Sequence, residues 1–487
     1  MFAQATQSAA SWLHQDGKSI ECFLANPSDY FDYSLTDMMS LSRAHLDWLQ
    51  IAGLQLRFTQ FRGSLPMLDK LADAQDIHVI GRLNDALPLL FDHATYKSYP
   101  ASLLSNHRFT QLTAWLNKLT TIDLSKVDVS SCRTIDDWIM TMSRETSLAI
   151  IHTSGTSGTM SFLPWSKREF RKFLEQYPVT LFQRFGHESP ALKPPLNIDC
   201  IYPYFRSGAY AQGAINDATV DVIAGGEERF HAAFPGRMSA DLTLFAAKRR
   251  AAAAKGHLAQ LEVSPEMAAR QKEFEAEQRD MPDRIAAFFD AMRTKLSGKR
   301  VFMIANTHLL FSLAENGLKL GLRNLFSSDS VINSGGGSKG MTLPDDWEQT
   351  VKEFFGVERV NTVFGMSEMG GLFIKCSQGH HHSVPWIIPF ILDPETNKPL
   401  PRSGTVTGRF AFYDLLQETR WGGFITGDEV TMAWDSPCPC QQTTPYFKGK
   451  IQRVSETRTL DGEEKLNCAA APEAYAEALD FLNEGIA

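Results

Sequence analysis

A run of hydroxyls and glycines holds the first chemistry in this chain. From Thr153 to Thr159 the residues are Thr-Ser-Gly-Thr-Ser-Gly-Thr. Thr153, Ser154, Thr156, Ser157 and Thr159 supply hydroxyl donors. Gly155 and Gly158 let the backbone adopt angles in which successive N–H groups converge on one point. Such a loop suits a polyphosphate, although a plain Ser/Thr/Gly turn has the same composition. A Walker-type loop fits less well, because Gly158 is followed by Thr159 and not by lysine. Residues 148–151 are an apolar run suited to a buried strand, and 161–165 read as a second strand. A helix is expected only from Ser166, where Ser166 and Glu169 have capping-box spacing.

A second constellation consists of Cys376, the run His380-His381-His382, and Cys438-Pro439-Cys440. Two cysteines one residue apart, with a distant cysteine and histidine, can close a tetrahedral zinc site. The alternative is a set of free thiols beside an exposed histidine cluster. Two carboxylates also stand out, Glu368 in Phe364-Gly365-Met366-Ser367-Glu368 and Asp428 in Thr426-Gly427-Asp428. Taken singly, they read as a helix cap and a turn residue.

These groups need elements to position them. Residues 1–140 read as mainly helical and connecting structure, with apolar residues at helical spacing in 35–54 and 109–119. Pro100 makes a turn of 96–100. Residues 200–205 predict a strand that Arg206-Ser207-Gly208 breaks. The segment 239–297 is rich in Ala, Glu, Lys and Arg, restarts at Ser264-Pro265, and predicts two or three helices with a solvated charged face. From 301 the pattern alternates: strand 301–305, helix 308–320, strand 330–333 leading into Gly335-Gly336-Gly337, helix 345–355, strand 360–364. This is α/β alternation with a largely parallel sheet. Such sheets bind ligands beyond the carboxyl ends of their strands, where both the triple glycine and the segment 364–368 fall. After Ile387 the chain reads as short strands and turns as far as Arg453.

With 487 residues the chain can form two or three domains or one large layered one. Hydrophobic residues at 43% and charged residues at 21% are ordinary for a soluble globular protein. A net charge of −8 speaks against a general nucleic-acid surface. No apolar run approaches the roughly 18 residues of a membrane helix, and no secretory hydrophobic region is seen near the start. The seven cysteines are scattered apart from Cys438 and Cys440, which argues for reduced thiols and a cytoplasmic location.

Five segments, in order, resemble motifs of the adenylate-forming superfamily of acyl-CoA synthetases and related ligases. Residues 153–158 are similar to its phosphate loop, and Ser334-Gly335-Gly336-Gly337 to its adenine-side glycine strand. The segment from Phe364 to Glu368 resembles its aromatic-Gly-x-Thr/Ser-Glu motif. Thr426-Gly427-Asp428 resembles its ribose-binding Thr-Gly-Asp, and Gly449-Lys450-Ile451-Gln452-Arg453 its hinge. Cys438-Pro439-Cys440 followed by Thr443-Thr444-Pro445 resembles the phenylacetate-CoA ligase-like branch. His382, Pro385 and Trp386 are similar to the acyl-protein synthetases of bioluminescence systems.

The resemblance implies an α/β fold: the large N-terminal domain of an adenylate-forming enzyme, layered αβαβα sheets plus a small β-rich subdomain. It places that domain at 1–448, with a helical region 1–140 and a nucleotide-binding core 141–448. A short tail, 449–487, would stand where the family has its mobile C-terminal domain. The implied reaction joins a carboxylic acid to ATP, releases pyrophosphate, and passes the acyl group to a thiol or other nucleophile: CoA, an amine or a carrier protein. The phosphate contacts fall to Thr153, Ser154, Gly155, Thr156, Ser157 and Gly158. Glu368 would hold Mg²⁺, Ser367 would donate to the α-phosphate or the carboxylate, and Asp428 would accept from the ribose hydroxyls. Gly335, Gly336 and Gly337 would lie against the adenine, with Phe364 and Gly365 beside it and Arg453 at the hinge. From its spacing in the branch resembled, His382 would be the ligand that completes a structural zinc site with Cys376, Cys438 and Cys440. The acid pocket is expected from residues 202–205, 302–308 and 365–369. A nucleotide-binding regulatory or scaffold protein derived from such an enzyme is the alternative.

Some positions depart from the family pattern. The lysine often found after the second glycine of the phosphate loop is absent from Thr159-Met160-Ser161. Lys450 and Gln452 stand where the hinge usually has arginine and an acidic residue. About 34 residues follow Arg453, too few for the mobile domain, and Lys465 is the only lysine among them. Cys468 in that tail reads in two ways: an acyl-carrying thiol as in the bioluminescence acyl-protein synthetases, or a small core residue.

Overall fold

The computed structural model describes residues 18–92, 94–153, 160–185, 192–254, 256–257, 268–336 and 342–454. The tail with Lys465 and Cys468 lies outside them, as do 154–159 and Ser264-Pro265. The expected α/β class is what is found. Eleven strands form one sheet: β3 (Asp199–Gly208), β4 (Phe230–Met238), β5 (Val301–Asn306), β6 (Val331–Gly335), β7 (Asn361–Phe364), β8 (Phe373–Lys375), β9 (His381–His382), β10 (Ile387–Leu392), β11 (Thr405–Asp414), β12 (Gly423–Ala433) and β13 (Tyr446–Arg453). Two more strands, β1 (Leu148–Thr153) and β2 (Ser161–Ser166), make a separate antiparallel hairpin.

The sheet order is β10-β11-β12-β13-β9-β8-β7-β6-β5-β3-β4. Strands from β4 to β7 pair in parallel, as the alternating pattern requires. From β7 through β8 and β9 to β13, β12, β11 and β10 every pairing is antiparallel. The expectation of a largely parallel sheet therefore holds for only one half. Beyond Phe364 the connections are too short for helical crossovers, so the chain turns back on itself. The later strands are also longer than expected, with ten residues in β11 and eleven in β12. Strand β13 runs through residue 449, where a domain boundary is expected, and pairs Arg453 with Asp428.

One sequence reading is refined and one needs correction. Residues 35–54, whose apolar spacing is helical, fall in two helices, Leu35–Met39 and Arg43–Phe61, capped by Ser34 and Ser42. Strand β3 continues through Arg206, Ser207 and Gly208, because pairing with β4 reaches Gly208↔Met238. Elsewhere the local signals are obeyed. Asn306 ends β5 and caps the helix Thr307–Lys319 by accepting from the Leu309 N–H at 2.9 Å. The helix Trp347–Phe355 stops at Gly356, whose φ of +82° and 3.0 Å clearance to the Asn324 Cα leave no room for a side chain.

The hairpin is held from both ends. Before β1, the helix Ile135–Glu145 meets the helix Ala240–Ala254 in a reciprocal cap. Asp241 accepts from the Ile135 and Asp136 N–H groups at 2.9 Å, and Asp136 accepts from the Ala240 N–H at 2.8 Å. After β2, Ser166 caps the helix Lys167–Leu174 and the full capping box with Glu169 is present. Glu169 is buried, and its carboxylate does more than cap. It also accepts from the Glu418 N–H (2.6 Å), the Thr419 N–H (2.9 Å) and the Thr419 hydroxyl (2.6 Å), fixing the segment before β12 against the hairpin. Glu169→Ala would leave several buried donors unmatched, each costing about 1–3 kcal/mol. A loss of about 3 kcal/mol or more is expected in denaturant unfolding, against about 1 kcal/mol for Ser166→Ala. Equal, small losses would show that the Glu418–Thr419 contacts contribute nothing.

Candidate nucleotide site and Cys-His cluster

The hairpin places the hydroxyl-glycine loop. Its register closes with Thr153↔Ser161, so the loop joins two paired strands and no helix follows its second glycine. Thr153 lies at the mouth; Ser154, Gly155, Thr156, Ser157 and Gly158 lie outside the described residues. On the parallel half of the sheet, Gly335 ends β6 and pairs with Val363 of β7. A Cβ on Gly335 would meet the Val363 Cγ2 at 2.7 Å, and Gly336 has φ +66°. Gly337 is outside the described residues. Phe364 ends β7 and packs its ring edge-on against Phe373, Phe410 and Phe447 at 5.4–6.1 Å. Gly365 follows where a Cβ would meet the Leu372 Cδ2 at 2.7 Å.

The next residues, Ser367 and Glu368, are gripped by their main chain. The Trp165 indole N–H donates to the Ser367 carbonyl at 3.0 Å. Arg420 Nη2 donates to the Glu368 carbonyl at 2.6 Å. The Gly370 N–H donates to Asp414 Oδ2 at 2.6 Å, and the Trp386 indole donates to the Gly370 carbonyl at 3.0 Å. Burial raises the Glu368 carboxyl above the usual range, opposed by the charges of Arg420 and Arg453. Asp428 sits in β12, its N–H on the Thr426 hydroxyl at 3.0 Å, and faces Arg453 of β13 with Nε to Oδ1 at 3.3 Å. Thus Gly335, Gly336, Phe364, Gly365, Ser367 and Glu368 lie at or just beyond the ends of the neighbouring strands β6 and β7, while Asp428 and Arg453 lie on the paired strands β12 and β13 of the same sheet, near enough for their charges to act on Glu368.

Sequence reasoning missed Trp165, Arg420 and Asp414. Arg420 lies in Glu418-Thr419-Arg420-Trp421, where nothing local distinguishes it from a surface arginine. Its full burial is a tertiary fact.

The cysteine-histidine constellation does assemble. A tight turn between β8 and β9 carries Cys376, with its N–H on the His380 carbonyl at 2.8 Å and Gly379 at φ +78°. The loop between β12 and β13 brings Cys438 and Cys440. One ligand atom each from Cys376, His382, Cys438 and Cys440 lie within 4.8 Å of one another. His382 is fully buried. Its Nδ1 faces the Thr444 carbonyl at 3.1 Å and its Nε2 the Cys440 Sγ at 3.3 Å. A carbonyl on one ring nitrogen fixes the tautomer and leaves the other as a donor to a metal. Burial, with Arg184 nearby, lowers the His382 imidazole to about 3, so it stays neutral. Sulfur and imidazole donors at this spacing fit a tetrahedral zinc ion. His380 also reaches the cluster, with Nδ1 3.3 Å from the Cys438 Sγ.

No protein-family model and no curated protein matches this chain. Among solved structures, it is similar to 2-hydroxyisobutyryl-CoA ligase in an open conformation with 2-HIB-AMP and CoA, at 13% identity and a TM-score of 0.49. That match covers 88% of this chain and 79% of the other. The same ligase in its thioesterification state gives 14% identity, coverage of 86% and 70%, and a TM-score of 0.48. ATP-bound MatB from Rhodopseudomonas palustris gives 16% identity, coverage of 58% and 45%, and a TM-score of 0.33. At these scores the likeness decides nothing about the reaction of this chain. Among the described residues, no helix is long and apolar enough to cross a membrane.

His152, next to the loop, is 2% exposed, and neither ring nitrogen has a hydrogen-bond partner among the described residues. Burial lowers its imidazole from 6.5 to about 4. The unfolded chain therefore binds the extra proton between pH 6.5 and 4, while the folded chain does not. Stability is complete above pH 6.5 and falls as pH drops through this window, by about 3 kcal/mol at its lower end. His152→Gln should flatten the acid limb of melting temperature against pH between 4 and 6.5. An unchanged limb would show that His152 accepts a proton while folded.

Proposed function

We propose that this chain is a ligase that uses ATP and Mg²⁺ to adenylate a carboxylic acid and passes the acyl group to a thiol or other nucleophile, CoA first among them. The observation that carries this reading is the tie between two separate motifs. The hairpin bearing the hydroxyl-glycine loop is bound through Trp165 to the carbonyl of Ser367, next to Glu368. A loop suited to a polyphosphate would thereby stand near a carboxylate suited to its counter-cation.

Adenylation brings two anions together, so their repulsion must be offset. The N–H groups and hydroxyls of 153–159 would hold the β- and γ-phosphates. Bound to the nucleotide, Mg²⁺ would supply charge neutralisation at the phosphate oxygens, with Glu368 as its protein ligand. Ser367 would donate to the α-phosphate or the acid. Asp428, steadied by Arg453 and Thr426, would accept from the ribose hydroxyls, and Gly335 and Gly336 leave flat backbone for the adenine. An oxygen of the acid carboxylate then attacks the α-phosphorus, pyrophosphate leaves, and the acyl-adenylate is ready for the second nucleophile. Removing one preorganised electrostatic contact costs roughly 10²–10³ in rate. Glu368→Ala is expected to slow acid-dependent pyrophosphate exchange by about that factor. Exchange at the wild-type rate would remove Glu368 from the metal role, and no exchange by wild type across a broad panel of acids would favour the regulatory alternative.

The same reading assigns one structural Zn²⁺ to Cys376, His382, Cys438 and Cys440. It would join the turn after β8 to the loop before β13 and take no part in the chemistry. Purified protein should hold one zinc per chain, and Cys440→Ser should lose metal and melt lower. A zinc-free protein, or a Cys440→Ser variant with unchanged metal and melting temperature, would overturn the assignment.

A further inference from the structure

Arg420 is fully buried, its guanidinium over the Trp165 ring at 4.7 Å and the Tyr96 ring at 5.8 Å. Its well-formed hydrogen bond among the described residues is the 2.6 Å contact from Nη2 to the Glu368 carbonyl. Nε and Nη1 meet no acceptor of good geometry there; the guanidinium lies beside the buried Tyr96 hydroxyl, and its charge opposes the rise that burial causes in that phenol. A buried charge without a paired carboxylate is costly to keep. Packing does not require it, since a neutral side chain of similar length would fill the slot between two aromatic rings. The carboxylates on which its charge acts are those of Glu368 and Asp414. Asp414 in turn holds the Gly370 N–H, two residues beyond Glu368.

Apart from the Met369 N–H on the Met366 carbonyl at 3.1 Å, this short segment is gripped from elsewhere in the chain: Trp165 on Ser367, Arg420 on Glu368, Asp414 and Trp386 on Gly370. Trp165 takes part twice, as donor to Ser367 and as the platform under Arg420. Phosphate hairpin, cation and acidic loop form one stack. Resting on the adenylation reading above, we propose that Arg420 is a positioning residue: it fixes the carbonyl of Glu368 and, through its charge, presents that carboxylate to the cation that accompanies the nucleotide. It touches neither substrate nor metal itself, and it lies outside every motif by which the nucleotide site was read.

The test uses full-length protein with ATP and Mn²⁺ in place of Mg²⁺, and reads Mn²⁺ binding by electron paramagnetic resonance, which needs no turnover. Loss of a residue that orients a metal ligand typically costs 10–100-fold in metal affinity. Arg420→Gln is expected to weaken Mn²⁺ binding in the ATP complex about tenfold, to leave ATP binding in EDTA within about twofold, and to lower the rate of pyrophosphate exchange more than it raises KM for ATP. Arg420→Lys, which keeps the charge, should recover most of the Mn²⁺ affinity. A folded Arg420→Gln with wild-type Mn²⁺ affinity overturns the proposal. So does equal loss in Gln and Lys variants together with loss of metal-free ATP binding, the mark of a merely structural role. If Arg420→Gln does not fold, Arg420→Met, which also removes the charge at similar length, is read in its place: about tenfold weaker Mn²⁺ binding supports the proposal, and wild-type binding refutes it. Wild type that takes up no Mn²⁺ with ATP would strike the adenylation reading itself.

Discussion

Strand β13 is the piece on which the rest depends. It lies between β9 and β12, and its antiparallel pairs Tyr446↔His382 and Asp428↔Arg453 join the run of strands from β4 to β9 to the antiparallel strands β10, β11 and β12. Without it, Glu368 would belong to one sheet edge and Asp428 to another. A two-residue strand such as β9 offers few hydrogen bonds, so the seam is weak by pairing alone. The Cys-His cluster sits directly beside it, drawn from the turn before β9 and the loop before β13. Tyr446, the residue paired with His382, also lays its ring beside His380 and His382 at 4.6 and 4.9 Å. An ion held there would close the seam covalently where hydrogen bonding is thinnest.

The second organising feature is the way buried charge is disposed. Glu169 is satisfied by main-chain donors from its own cap, Ser166, and from one distant segment, Glu418 and Thr419. Glu418 meets Lys172 and Arg57. Asp136 and Asp241 each cap the other's helix. These are structural uses, in which each charged group finds donors or a counter-charge. Arg420 differs, because two of its nitrogens find none among the described residues, and it differs at the loop that carries Glu368. Buried polar groups left in this way recur where a site trades stability for geometry.

Much of this was legible in the chain itself. Local hydrogen bonding decides helix starts, so the capping box at Ser166 and Glu169 could be read three residues apart. Side-chain periodicity and glycines decide strands and their ends, so β5, β6 and β7 and the helices between them lie within a residue or two of expectation. The residue types at 376, 380–382, 438 and 440 marked a candidate metal site, and the fold brings ligand atoms of 376, 382, 438 and 440 within 4.8 Å of one another.

Other features were decided only by tertiary structure. Where β3 ends depends on its pairing with β4, which reaches Gly208. The change from parallel to antiparallel pairing beyond β7 follows from which strands become neighbours, and strand order leaves no mark in composition. Arg420, Trp165 and Asp414 come from segments far from Glu368 in sequence, and only the folded chain brings them to its loop. The sequence determined which groups can bind a phosphate, a ribose or a soft metal, because that depends on side-chain type. Their distances, burial and charge compensation came from the fold, because those are properties of neighbours that the linear order does not name.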